Sequence, residues 1–147
     1  MFQIVLLLIA SLLSYETRAA TPQELQANLN SQQRSWVNDS CKRSLGASLW
    51  SSCVKREAGA ILQGIPNYSE LPGAAKSWIA NSCARTLGPS LYSSCVVREK
   101  RAVADLPSVS GLSPEDKQWV NFSCRKTLGP SLWSSCIKRE VSALKSM

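Results

Sequence analysis

The sequence predicts an all-α protein built from three tandem helical hairpins, each clipped by its own disulfide bond and stacked as a short repeat array of about six helices. A motif of Trp, Ser-Cys, Leu-Gly, Ser-Leu, Ser-Ser-Cys and Arg-Glu occurs three times. Its first Cys recurs after 42 and then 41 residues, a period typical of helix-pair arrays. The three copies are Trp36–Glu57, Trp78–Glu99 and Trp119–Glu140.

The N-terminal segment, residues 1–19, is predicted to be a signal peptide. Phe2 to Leu13 is almost wholly apolar, which suits a signal-peptide core and is too short to span a bilayer. Small residues then stand at the positions that a signal peptidase reads, so we expect cleavage after Ala19, with Ala20 as the alternative. No later apolar stretch is long enough to cross a membrane. The mature product is therefore expected to be secreted or periplasmic.

The cysteines indicate a disulfide framework. All six lie after the signal segment, two in each motif and always as C-x11-C. A metal site is disfavoured because the chain has no His and a local Cys pair supplies only two of four ligands. The favoured pairs are Cys41–Cys53, Cys83–Cys95 and Cys124–Cys136.

The same period divides the mature chain into repeats, and each repeat is expected to begin with a helix A. The third copy shows the start signal most clearly, since Ser113 can cap the helix and Pro114 suits its first position. The first copy has a different lead-in, in which Thr21 is followed three residues later by a Glu. The repeats span 20–63, 64–105 and 106–147, and the three helices A run from Asn30, Pro72 and Ser113 to Leu45, Leu87 and Leu128.

A glycine is expected to end each helix A in the left-handed conformation, and a proline or alanine then begins helix B. The Ser-Ser pair of each motif lies opposite the apolar face, where it either admits a neighbouring helix or is solvated. The turn glycines are Gly46, Gly88 and Gly129, and the apolar face of the first helix B is Leu49, Trp50, Cys53, Val54 and Ile61.

Recurring aromatic and basic residues of helix B are candidates for ligand binding. Aromatic rings can stack on sugars or bases, but these lie mid-stripe beside a Cys, which favours core packing. The Trp that opens each motif lies at the edge of the stripe and is also expected to be structural. The candidates are Trp50, Tyr92 and Trp133 with Arg56, Arg98 and Arg139.

A glutamate falls near the middle of the apolar stripe in each helix B. A carboxylate there is costly unless it is paired or hydrogen-bonded. We expect structural ion pairs, either with a basic residue at the end of helix A or with the helix-B arginine of a neighbouring repeat. The glutamates are Glu57, Glu99 and Glu140, and the helix-A partners are Arg43, Arg85 and Lys126.

Composition favours binding over catalysis. The chain has a net charge of +7 but no run of five basic residues, and it lacks a nucleic-acid reader motif, so an anionic envelope polymer or a protein is the expected partner. Without His it has no Ser-His or Cys-His pair, and no cofactor motif is present. The sequence thus predicts an exported, non-enzymatic binding or scaffold protein. The alternative is a small cationic inhibitor of a secreted hydrolase, or a toxin-like effector.

Overall fold

The computed structural model describes residues 19–42, 46–84, 87–125 and 129–147. Within these ranges the chain forms seven α-helices and no strand, which confirms the all-α prediction. The predicted signal segment up to residue 18 lies outside the described residues. No helix in the described part is long and apolar enough to cross a membrane. The helices are α1 Pro22–Ala27, α2 Ser31–Ser40, α3 Ala47–Leu62, α4 Gly73–Ser82, α5 Pro89–Ala104, α6 Pro114–Ser123 and α7 Pro130–Lys145.

Three disulfide bonds clip three antiparallel hairpins, α2 with α3, α4 with α5, and α6 with α7. Each joins the residue that ends the first helix of a hairpin to the second helix. The pairing is the predicted one, with Cα atoms 5.7, 5.7 and 5.6 Å apart for Cys41–Cys53, Cys83–Cys95 and Cys124–Cys136.

The first helix of each hairpin ends earlier than the sequence predicted. Helix α2 stops at Ser40 rather than Leu45, and Cys41 already has a non-helical backbone at φ −115° and ψ 85°. The same happens at the cysteines that follow α4 and α6. The helix thus ends at the cysteine whose disulfide partner, Cys53, lies in the second helix. The spacing of apolar residues predicted a longer helix because it gives no sign of the non-helical backbone at Cys41.

The turn glycines have the expected positive φ but a different role. Gly46, Gly88 and Gly129 precede the second helices as their N-caps, with φ of 83°, 79° and 82° and ψ near 160°. This combination lies outside the left-handed helical region and is accessible essentially to glycine alone. Pro89 and Pro130 then take the first helical positions, as predicted.

Each hairpin has a small apolar core of its own. In the first, Val37 of α2 packs beside Val54 and Ala58 of α3, all fully buried next to the disulfide. Leu49 was predicted to join this stripe, but its side chain is 62% exposed. Leu49 directly precedes Trp50, so it points about 100° away from the Trp50–Val54 stripe. The equivalent Leu91 and Leu132 are exposed as well.

Neighbouring repeats stack mainly through their second helices. Helix α3 lies against α5, and α5 lies against α7. In addition, the first helix of each repeat touches the second helix of the next, α2 with α5 and α4 with α7. These two junctions hold Glu57 and Glu99, and the aromatic residues Tyr92 and Trp133.

Candidate functional site

A buried carboxylate joins the first repeat to the second. Glu57 of α3 is 2% exposed and reaches the first turn of α5. The Ser90 backbone N–H donates to its Oε2 at 2.8 Å, and the Ser90 hydroxyl donates to its Oε1 at 2.8 Å. Arg56 Nε donates to the same Oε1 at 2.7 Å. We call this arrangement, a helix-B glutamate bound to the helix start of the next repeat, the carboxylate latch.

The second junction repeats the latch. Glu99 accepts from the Ser131 N–H at 2.7 Å, from the Ser131 hydroxyl at 2.7 Å and from Arg98 Nε at 2.9 Å. An N–H in the first turn of a helix has no partner within the helix, and the positive end of the helix dipole lies there. The latch therefore gives the first-turn N–H of one repeat a hydrogen-bond acceptor. It also gives hydrogen-bond donors to the buried carboxylate of the neighbouring repeat, whose burial would otherwise be costly.

Each buried glutamate forms an ion pair with an arginine of helix B. The arginine that contacts each buried glutamate is the preceding residue of the same repeat, not a residue of a neighbouring one. The helix-A candidates Arg43, Arg85 and Lys126 lie outside the described residues. Sequence analysis missed Ser90 and Ser131 altogether. The available signal was a polar residue at the second position of a helix that opens with Gly-Pro, where an N–H needs an acceptor.

The turn glycines also permit this close approach. A Cβ atom on Gly88 would lie 2.9 Å from Ser40 Oγ and 3.3 Å from Glu57 Oε2. A Cβ atom on Gly129 would lie 2.5 Å from Ser82 Oγ. Glycine is thus required at both positions for its backbone conformation and for the space between repeats.

The buried glutamates stay ionised at neutral pH. Burial raises the pKa of the Glu57 carboxyl, but hydrogen bonds from the Ser90 backbone, Arg56 and the Ser90 hydroxyl outweigh it, so the pKa is below its ordinary value. Burial acts on Glu99 in the same way, and the hydroxyl and backbone of Ser131 with Arg98 again lower its pKa. Two carboxylates held in this way suit structural anchoring and do not suit proton donation.

The recurring aromatics also lie at the junctions. Trp36 meets the Tyr92 ring edge-on at a centroid distance of 5.6 Å, and Trp78 meets Trp133 at 5.7 Å. Tyr92 and Trp133 are only 5% and 9% exposed, so their ring faces are covered by protein. Trp50 is half-buried and packs against the core of the first hairpin, as does Leu25 of α1.

A groove lies between α3 and α5. Its volume is about 550 Å³, and Lys55 and Arg56 line it from α3 while Ser90, Ser93 and Ser94 line it from α5. The Arg56 side chain is 65% exposed even though its Nε holds Glu57. The groove therefore combines positive charge with hydroxyl groups.

Two residues distinguish this groove. Gly59 lies inside α3, where glycine costs about 1 kcal/mol relative to alanine, and a Cβ added there would meet nothing within 4 Å. Glycine thus leaves space in the groove and is not demanded by packing. Ser93 Oγ is buried and has no hydrogen-bond partner among the described residues.

The second junction differs at the equivalent positions. Arg101 stands there in place of Gly59, and Asp105 in place of Gln63. Lys138 of α7 donates to Asp105 Oδ2 at 2.8 Å, so an ion pair spans this junction. The remaining candidate arginines, Arg98 and Arg139, have side chains 64% and 75% exposed and contact the following glutamate. Only the first junction combines the glycine with the unpartnered hydroxyl.

The described residues contain no group of three His, Cys, Asp or Glu side chains placed to hold a metal ion. The fold is that of a disulfide-clipped, all-α repeat protein. Comparisons with protein-family models, curated proteins and solved structures give no match.

Proposed function

We propose that this protein is an exported, non-enzymatic binding protein of the cell envelope or secretome. Its ligand is an anionic polymer, held in the groove between the first and second repeats. The observation that carries the proposal is the groove itself, in which Gly59 leaves space beside Lys55, Arg56 and the exposed Ser94 hydroxyl. An anionic oxygen accepts hydrogen bonds from both cations and from the exposed Ser94 hydroxyl.

The state of the acidic residues supports binding rather than catalysis. Glu57 and Glu99 each bind the start of a neighbouring helix, and their lowered pKa values keep them unprotonated. A general acid or base needs a titrating group poised near the working pH and open to substrate. The sequence also contains no His that could activate a hydroxyl or thiol.

The net charge of +7 supports an anionic partner in a second way. Positive charge spread over the surface attracts a polyanion at long range, while the groove provides a specific place for it. Such attraction is screened by salt, since the Debye length falls to about 8 Å at physiological ionic strength. Binding is therefore expected to weaken steeply with salt.

Titration with dextran sulfate tests the proposal, with neutral dextran as the matched polymer. We expect saturable binding of the sulfated polymer only, at an affinity that falls between low and physiological salt. Gly59→Leu fills the groove without changing charge and is expected to weaken binding at least tenfold. Gly111→Leu is the control, because that linker glycine also faces open space and lies outside the groove.

Equal binding of neutral dextran would contradict the proposal, and so would unchanged affinity in Gly59→Leu. Loss of a secreted hydrolase's activity on adding the oxidised protein, with no polymer binding, would instead favour the inhibitor alternative. A protein partner held at high salt would point the same way.

A further inference from the structure

The two ends of the array differ. At the first repeat, helix α1 lies against α3, and its Leu25 packs on the core of the first hairpin. At the third repeat no such cover exists within the described residues. Helices α2 and α4 each contact the second helix of the following repeat, but no described repeat follows α6. The end formed by the first repeat is therefore covered, and the end formed by the third is open.

Two aromatic side chains are exposed at the open end. Trp119 of α6 is 55% exposed, whereas the equivalent Trp36 and Trp78 each pack on an aromatic ring of the following repeat. Phe122, about one turn further along α6, is 76% exposed. Both line a groove of about 310 Å³ along the helix. We call its lining residues, Glu115, Gln118, Trp119 and Phe122, the α6 face.

The hairpin fold does not require an aromatic residue at Phe122. The equivalent residues of the first two repeats are Asp39 and Asn81, and both are exposed. Those hairpins form the same helices and the same disulfide with a polar residue there. Exposed aromatic side chains that lie together are characteristic of protein contact surfaces, in which aromatic residues are enriched. The α6 face is therefore suited to a protein partner.

The charges of α6 are complementary to those of a second α6 that runs the opposite way. Glu115 lies in the first turn of the helix and lines the groove. Arg125 lies two residues beyond the end of the helix and is exposed. In an antiparallel pair the start of each helix lies beside the end of the other, so Glu115 of one copy comes near Arg125 of the second copy. The residues of the α6 face recur every three to four positions, so they lie on one side of the helix along its whole length.

We propose that the α6 face binds the same face of a second copy of this chain, with the two α6 helices antiparallel about a twofold axis. Trp119 and Phe122 of each copy cover those of the other, and Glu115 pairs with Arg125 of the second copy. A second copy fits this face because it supplies both the apolar surface and the opposite charge. A contact between like faces is closed, so association stops at a dimer.

Sedimentation velocity over a range of concentrations tests this inference on the oxidised mature chain. We expect the wild type to pass from monomer to dimer as the concentration rises, with no larger species. Phe122→Asp introduces the residue type of the first repeat and is expected to weaken dimerisation at least tenfold. Asn121→Asp is the matched control, because it makes the same change in charge at an exposed position of the same helix outside the groove. It is expected to dimerise like the wild type.

A charge exchange tests the antiparallel arrangement. Glu115→Arg alone places two cations together at both ends of the contact, and Arg125→Glu alone places two carboxylates together there. Each variant alone is expected to dimerise more weakly than the wild type. An equimolar mixture of the two is expected to form heterodimers, because every pair across the contact then joins opposite charges.

A wild type that stays monomeric at every concentration would overturn the inference, whether or not it captures a different protein. Species larger than a dimer would also overturn it, because they require a second contact surface. Wild-type dimerisation by Phe122→Asp, or a mixture of the charge variants that associates no better than either alone, would do the same. The Phe122→Asp variant retains the groove between α3 and α5, so its dextran sulfate binding reports separately on the proposed function.

Discussion

Replacing both Cys83 and Cys95 with Ser is expected to lower the free energy of unfolding by about 3 kcal/mol or more. Closing a loop of this length restricts the unfolded chain by about 3 kcal/mol in the chain-entropy account, and each hairpin core is small. The central repeat contributes to both junctions, so loosening it also weakens its two neighbours. Urea denaturation followed by far-UV circular dichroism measures the change.

The matched control is the Cys124→Ser/Cys136→Ser pair. It opens a loop of the same length in a repeat that has only one described junction. The loop-closure contribution is therefore equal, and any additional loss in the Cys83→Ser/Cys95→Ser variant reports on stacking. A smaller loss in the central repeat than in the third would contradict a stacked array.

The second large effect is expected from Glu99→Ala, which removes the latch at the second junction. Ser131 then loses an acceptor for both its N–H and its hydroxyl, and we expect destabilisation by about 2–4 kcal/mol. The Arg98 pair contributes little of this, since the Arg98 side chain is 64% exposed and solvent screens it. Glu140→Ala is the matched control and is expected to cost less than about 1 kcal/mol in the monomer.

Acidification gives an independent check on the same latch. The folded pKa of Glu99 is lowered, so its stabilisation is present above the ordinary carboxyl pKa of about 4.3 and is lost as the pH falls through the folded value. Glu99→Gln cannot titrate and is expected to lose less stability over this acid range than the wild type. An equal cost of Glu99→Ala and Glu140→Ala, or an unchanged acid response in Glu99→Gln, would contradict the latch.

The architecture could be predicted because the motif recurs at a regular interval along the sequence. The recurring motif and the spacing of its cysteines led to the hairpins and to the disulfide pairing, and both are confirmed. Two details of the helices were predicted wrongly. Helix α2 was predicted to continue to Leu45 but ends at Ser40. Leu49 was predicted to lie in the apolar stripe of α3, but its side chain is exposed.

The junctions could be predicted only in part. A glutamate in an apolar stripe indicated that Glu57 needs a partner, but the partner, Ser90, lies 33 residues away in another hairpin. A helical period describes one face of one helix and carries no information on how two hairpins stack. The groove was hidden for the same reason, since Gly59 is informative only once α3 is known to lie beside α5.

Amide hydrogen exchange tests most directly whether a carboxylate of one repeat binds the helix start of the next. Ser48, Ser90 and Ser131 occupy the same position near the start of their helices, where an N–H has no partner within the helix. The latch predicts slow exchange at Ser90 and Ser131, whose N–H groups bind a glutamate, and fast exchange at Ser48. Similar fast exchange at all three amides would contradict it.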